Sequence, residues 1–274
     1  MPELPEVETM VRDIRPALVG RQLGRVSLSH DDILSGVTRR TLLRALTGAT
    51  VHSVGRRAKH AVLDLGARRL IVQPGMTGSL IVYDRPLTDE ERRYAVLRAA
   101  LDDGRELIYR DVRRIGRLRL LDPAGWRRYS ESIGPEPLDP GFTAGRLGEA
   151  LGRSRQAVKK VIMDQRHLAG VGNIYANEAL FAAGIDPSKA ARRLTPDDHR
   201  RLHAAIRRIL RAAIASNGTT VRDYRTGTGE PGGFQLELLV YGREGEPCTR
   251  CGTRLTGTHL IDARTTVFCH RCQS

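Results

Sequence analysis

At 274 residues with 40% apolar side chains, the chain is long and apolar enough for one large or two medium folded domains, which excludes a disordered polyelectrolyte. It has no run of about 18 uncharged apolar residues, so no membrane-spanning helix is expected, and the acidic, proline-rich start Met1-Pro2-Glu3-Leu4-Pro5-Glu6 lacks the basic and then apolar regions of a secretory signal, which makes the cytosol the expected compartment. The 45 Lys+Arg against 31 Asp+Glu leave a formal net charge of +14, which steers polyanions toward the surface and ranks nucleic acid above anionic lipid as a partner.

In chain order, a helix is predicted from about Glu6 to Leu18. Short alternating stretches then recur at Val51–Val54, Ala61–Leu65, Leu70–Val72 and Leu80–Tyr83, with Gly-containing turns between them. Two further strands, Tyr94–Leu101 and Glu106–Tyr109, flank the hairpin signal Asp102-Asp103-Gly104. So many short strands point to an antiparallel β-sandwich or barrel. After Pro140 the apolar period becomes helical, around Gly145–Leu151, Arg155–Gln165, Asn173–Ala183 and Pro196–Ser216. The last of these has Thr195 as N-cap, Pro196 at the first helical position, Asp198 in the capping-box place and Asn217-Gly218 as a stop. The expected class is α+β. The β domain spans residues 1–134, a helical domain spans 135–235 after the linker opened by Pro135-Glu136-Pro137, and a terminal module spans 236–274.

That terminal module carries all four cysteines, as Cys248-x2-Cys251 and Cys269-x2-Cys272 with 17 residues between the pairs. Two such turns from a small β-hairpin build a closed tetrahedral cage for one Zn²⁺, a structural zinc finger with no open position for water. The alternative is two disulfides or four free thiols, which the expected cytosolic compartment disfavours. Arg250, Arg254, Arg264 and Arg271 around the ligands suit a hairpin laid against phosphates.

These properties describe a zinc-stapled nucleic-acid-binding protein without naming a reaction. The opening Met1-Pro2-Glu3-Leu4-Pro5-Glu6-Val7-Glu8-Thr9 resembles that of the formamidopyrimidine-DNA glycosylases and their endonuclease VIII relatives. So do Arg56-Arg57-Ala58-Lys59, Gly75-Met76-Thr77-Gly78-Ser79-Leu80, Asp111-x-Arg113-Arg114, Gly170-Val171-Gly172-Asn173-Ile174-Tyr175-Ala176 and the cysteine hairpin. The resemblance covers essentially the whole chain. It implies a base-excision-repair glycosylase with abasic-site lyase activity, acting as a monomer on double-stranded DNA that contains oxidised bases or abasic sites. It also implies a helix–two-turns–helix element in the helical domain.

On this resemblance, loss of Met1 exposes the secondary amine of Pro2, which attacks the anomeric carbon, expels the base and leaves a protein–sugar iminium. The cation acidifies the neighbouring sugar hydrogens, so the 3′ and then the 5′ phosphate are eliminated. Glu3 becomes the proton shuttle and Glu6 an auxiliary carboxylate; as isolated residues they would read as solvated acids at a helix start. Lys59 serves the first elimination and Arg264 the second. Tyr94, Arg113, Arg114, Arg155, Lys159 and Asn173 fall at DNA-contacting positions.

Reaching the sugar carbon requires the base to leave the stack. Met76, Arg113 and Ile115 match the residues that fill the gap, although Ile115 replaces a usual aromatic, Val112 a common proline and Gln73 a frequent histidine. The Gly-rich stretch 219–234 is expected to be a lesion-binding loop. Together with Met76 it favours oxidised purines, 8-oxoguanine and formamidopyrimidines, over the oxidised pyrimidines of the endonuclease VIII branch. Two readings outside this chemistry are a non-catalytic zinc-containing DNA-binding protein that kept the fold, and a zinc-ribbon RNA or DNA binder whose opening motif is coincidental.

Overall fold

The computed structural model describes residues 2–220 and 226–274. The fold is α+β, with two compact units: Met1–Glu131 with Ser216–Gly233, and Ser132–Ala215 with Phe234–Ser274. The segment 216–233, assigned from the sequence to the helical domain, is thus grouped with the β unit, and the cysteine module is grouped with the helices.

The first unit begins with helix α1 (Leu4–Leu18), whose buried Val7, Met10, Val11, Ile14 and Leu18 recur every three or four residues and pack into the sheet core. The elements that follow are β1 (Leu23–Leu28), α2 (Arg39–Leu46), β2 (Ser53–Arg57), β3 (His60–Asp64), β4 (Arg69–Gln73) and β5 (Gly78–Tyr83). The unit continues through α3 (Asp89–Tyr94), β6 (Ala95–Leu101), β7 (Glu106–Asp111), β8 (Arg117–Leu121) and α4 (Pro123–Glu131). The strands form two antiparallel four-stranded sheets, ordered β1-β6-β7-β5 and β2-β3-β4-β8. Leu80, Leu97 and Tyr109 of one sheet share a core with Ala61, Leu63, Leu70, Val72 and Leu118 of the other, the sandwich expected from the alternation. Tyr94, taken as the start of a strand, instead ends α3, which is nucleated by a capping box between Thr88 and Glu91.

The second unit is helical: α5 (Ala144–Leu151), α6 (Val158–Met163), α7 (Asn173–Ala183) and α8 (Pro196–Ala215). Helix α6 is shorter than expected, and Arg155 lies in the turn before it. Nine of the 11 residues of α7 are buried, so it is the central helix of this unit. It stops at Gly184, whose φ of 69° lies in the left-handed region that favours glycine. The expected cap of α8 is present, with Asp198 N–H donating to Thr195 Oγ1 at 3.1 Å and Thr195 N–H to Asp198 Oδ2 at 3.0 Å. A short hairpin, β9 (Thr256–Thr258) and β10 (Thr266–Phe268), closes the chain.

Candidate active site

Pro2 is buried at the mouth of α1, and Met1, whose loss would free its nitrogen, lies outside the described residues. Glu3 and Glu6 are only 2% and 1% exposed. They are not the solvated pair that charge alone suggests, because Glu6 is spent on backbone donors. Its Oε2 accepts the Glu3 N–H at 2.8 Å and its Oε1 the Thr219 N–H at 2.8 Å. Glu6 thus holds both the chain start and the stem of the 219–234 loop. Two more bonds fix that stem to α1, Arg12 to the Asn217 side chain at 2.6 Å and the Gly227 N–H to Asp13 at 3.2 Å. Residues 221–225 of the expected lesion loop lie outside the described residues.

Lys59 occupies the two-residue turn between β2 and β3 and is 7% exposed. The turn requires Ala58 at φ 53°, and it is secured by Arg56, which donates to the Ala58 carbonyl at 3.0 Å and to Glu8 Oε2 at 2.7 Å. Since Glu8 is on α1, this one guanidinium ties the Lys59 turn to the helix that follows Pro2 and Glu3. Next to Lys59, burial first and then the Arg119 charge lower the His60 pKa from 6.5 to about 4, so the ring is neutral at physiological pH.

Two loops of the same unit carry the expected gap-filling residues. Met76 (42% exposed), Val112 (46%) and Ile115 (40%) are among the few large apolar side chains left in solvent, and Arg113 Nη1 lies 3.3 Å from the Met76 sulfur. Arg114 is exposed and engages the His30 ring at 3.0 Å and Asp32 at 3.6 Å. Tyr94 is half-buried at the end of α3, and Gln73 is half-buried at the end of β4.

In the second unit the Lys159 ammonium is fully buried. It donates to Thr266 Oγ1 at 2.6 Å and the Thr265 carbonyl at 3.4 Å, and pairs with Asp262 at 3.4 Å. Asn173, at the start of α7, donates to the same Thr265 carbonyl at 3.2 Å. Arg264 is exposed in the hairpin turn between these anchors, and its N–H donates to Asp262 Oδ1 at 2.6 Å. Two polar residues expected from the sequence to touch DNA therefore hold the turn bearing Arg264, while Arg155 is exposed.

The sulfurs of Cys248, Cys251, Cys269 and Cys272 lie within 4.8 Å of one another. Cys251 and Cys269 approach to 3.5 Å and Cys248 and Cys272 to 3.9 Å. These separations bracket the edge of about 3.8 Å of a tetrahedron with metal–sulfur bonds near 2.3 Å, and are far longer than a disulfide. Crowding by Cys251 and burial push the Cys272 thiol up to about 12, a conflict among sulfurs that a bound cation relieves. The cage sits on an apolar base of Phe181, Val240, Leu255 and Val267.

This geometry has close relatives. The family model for the formamidopyrimidine-DNA glycosylase N-terminal domain matches residues 1–118, and that for the formamidopyrimidine-DNA glycosylase H2TH domain matches 133–225. The chain belongs to the formamidopyrimidine-DNA glycosylase family. It is 39% identical to the formamidopyrimidine-DNA glycosylase of Desulfitobacterium hafniense over the full length of both chains. Its fold matches the Fpg of Lactococcus lactis in complex with abasic-site DNA at a TM-score of 0.89, with 32% identity and 99% of each chain covered. It also matches a MutM in complex with DNA containing carbocyclic 8-oxo-G, at a TM-score of 0.90 and 32% identity over the whole of both chains.

Reading the sequence did not reveal the groups that support these residues. Arg56, Asp111, Thr77, Asn177, Glu178 and Asp262 are buried or half-buried polar residues, each with a partner distant in sequence. Asn177 accepts the Val267 N–H at 2.9 Å, and Glu178 accepts the N–H groups of Leu239, Val240 and Tyr241 at 2.8–3.0 Å, so α7 anchors both ends of the cysteine module. The signal for Glu178 was a single charged residue in a helix with no other charge.

Proposed function

We propose that the protein is a base-excision-repair glycosylase and abasic-site lyase that removes oxidised purines, 8-oxoguanine and formamidopyrimidines, from double-stranded DNA. The observation that carries this reading is the pair of carboxylates Glu3 and Glu6, buried at a helix start directly after Pro2 in a family member. Carboxylates are withdrawn from water at a cost, and the backbone bonds of Glu6 offset it by fixing the chain start in one geometry.

In this mechanism the Pro2 amine, freed of Met1, bonds to the anomeric carbon as the base departs with its bonding electrons, and Glu3 delivers a proton to the leaving base or the opening ring. The amine proton leaves, the bond from the anomeric carbon to the ring oxygen breaks with that oxygen taking the electron pair and a proton, and the iminium forms. Lys59 binds the first phosphate to be eliminated and Arg264 the second, with Tyr94, Arg113, Arg114, Arg155 and Asn173 serving the DNA interface and the buried Lys159 holding the turn that carries Arg264. The net charge of +14 supports capture of the duplex. Cys248, Cys251, Cys269 and Cys272 would hold one structural Zn²⁺, which would supply folding energy to the hairpin and take no part in bond breaking. A monomer in the bacterial cytosol is the working form; no helix among the described residues is long and apolar enough to cross a membrane.

The test is borohydride trapping with duplex DNA bearing 8-oxoguanine opposite cytosine, followed by mass spectrometry. An adduct at Pro2 is expected. Trapping only with a thymine glycol duplex would move the protein to the oxidised-pyrimidine branch, and no trapping with either would overturn the reading.

A further inference from the structure

The Asp111 carboxylate ends β7, is 1% exposed and touches two loops at once. Its Oδ1 accepts the Thr77 hydroxyl at 2.5 Å. Its Oδ2 accepts the Gly116 N–H at 2.8 Å and the Tyr109 hydroxyl at 3.2 Å. Thr77 passes the connection on, because its Oγ1 accepts the Arg113 N–H at 3.0 Å. The loop between β4 and β5, which presents Met76, is thereby bonded from below to the loop between β7 and β8, which presents Arg113 and Ile115.

Close packing makes this joint rigid. A Cβ on Gly75 would lie 2.7 Å from the Gly116 nitrogen, and one on Gly78 would lie 2.6 Å from the Tyr109 hydroxyl oxygen. A side chain at Gly75 would push the two loops apart, and one at Gly78 would crowd the Tyr109 hydroxyl that Asp111 accepts. Burial and the adjacent Asp111 charge raise the Tyr109 pKa, which keeps the phenol a donor. Above this buried base, Met76 on one loop and Val112, Arg113, Arg114 and Ile115 on the other reach outward.

The geometry points to Asp111 and Thr77 as positioning residues that hold Met76, Arg113 and Ile115 in the one arrangement able to replace an extruded base, so they govern action on paired lesions and not the chemistry at the sugar. This rests on the proposed glycosylase reading. The physical reason is that a wedge works only if it is stiff. Separating stacked bases costs free energy, and loops free to retreat would spend that energy on their own displacement. Ile115, aliphatic where an aromatic is usual, supplies less stacking of its own and makes the support beneath it more consequential.

The test compares Thr77→Val with Thr77→Ser. Valine keeps the shape but strips Asp111 of a donor and the Arg113 N–H of its acceptor, whereas serine keeps the oxygen. Two rates are measured under single turnover: excision of 8-oxoguanine opposite cytosine in a duplex, and cleavage of an abasic site in a single strand, which has no partner base to replace. Thr77→Val is expected to slow duplex excision about 10- to 100-fold while single-strand cleavage holds, with Thr77→Ser restoring the duplex rate. Asp111→Asn, which retains size, is expected to show the same split. Equal losses on both substrates would mean a general folding defect and overturn the proposal, as would an unchanged duplex rate. A wild-type protein inactive on the lesion duplex would overturn the glycosylase reading as well, whereas an active wild type with an unaffected Thr77→Val overturns only the positioning role.

Discussion

Glu6 and Thr219 are 213 positions apart in the chain and are joined by a 2.8 Å bond from the Thr219 N–H to Glu6 Oε1. The other oxygen of the same carboxylate accepts the Glu3 N–H at 2.8 Å. Glu6→Gln keeps the shape but presents an amide NH₂ to one of those two donors. We expect a stability loss of about 1–3 kcal/mol together with an excision rate lowered about tenfold or more as Pro2 and Glu3 lose their fixed geometry. Urea unfolding and single-turnover kinetics check this. A variant as fast as the wild type would separate Glu6 from the chemistry.

The fold was largely legible because its elements carry strong periods. The expected span Asn173–Ala183 coincides with α7, which follows a Gly-rich turn, and the α8 cap was readable as Thr195-Pro196-x-Asp198. β8 escaped because arginines alternate with its leucines, as in Arg117-Leu118-Arg119-Leu120, and β1 because Gly24, Arg25 and Ser27 break up its apolar residues, so both look like polar loops. Helix α4 has no buried residue and hence little apolar period to read. In the site, the reactive residue types were visible in sequence order, but their support was not. Asp111 meets Thr77 across 34 positions, and Lys159 meets its acceptor Thr266 across 107, pairings that arise only when the units fold. A lysine among charges reads as a solvated phosphate ligand; burial makes this one a clamp.

His60 gives the first unit a pH-dependent stability. Its folded pKa is lowered from 6.5 to about 4, chiefly by burial and then by Arg119, so as the pH falls below about 6.5 the unfolded chain takes up a proton that the folded chain refuses. Stability is therefore full above about pH 6.5 and declines as the pH falls toward 4, by about 2 kcal/mol near pH 4.5. His60→Phe, which keeps an aromatic ring against Tyr129, should flatten this decline. The single tryptophan, Trp126, lies 6.4 Å from Tyr129 and reports the local transition. Urea unfolding followed by its fluorescence at pH 7 and 4.5 decides the matter, and equal pH slopes for the two proteins would remove His60 as the cause.

Metal loss should disorder the hairpin before the rest. Without a cation, the four sulfurs crowd one another at 3.5–3.9 Å, and their apolar base of Phe181, Val240, Leu255 and Val267 is too small to hold the turn alone. We expect one equivalent of zinc by elemental analysis, its loss on Cys251→Ser, and a drop in duplex affinity of about tenfold or more. Strand cleavage should fall with it. A zinc-free protein with unchanged DNA affinity would show that the hairpin does not contribute to binding.

Lys159 tests whether the Arg264 turn must be held from within. Its ammonium bonds Thr266 Oγ1 at 2.6 Å and pairs with Asp262, whose Oδ1 accepts the Arg264 N–H at 2.6 Å. Lys159→Met fills nearly the same volume but leaves Asp262 without its buried cation, and an unpaired charge of this kind costs about 3 kcal/mol or more. The turn should relax to bring that carboxylate toward water, and Arg264 should move with it. The second elimination is then expected to slow about tenfold, more than excision of the base does. On a denaturing gel, the product retaining a sugar remnant at the 3′ end should accumulate over the fully trimmed end. A mutant with the wild-type product ratio would mean that Arg264 keeps its place without the lysine, and that the anchoring by Asn173 at the Thr265 carbonyl is sufficient.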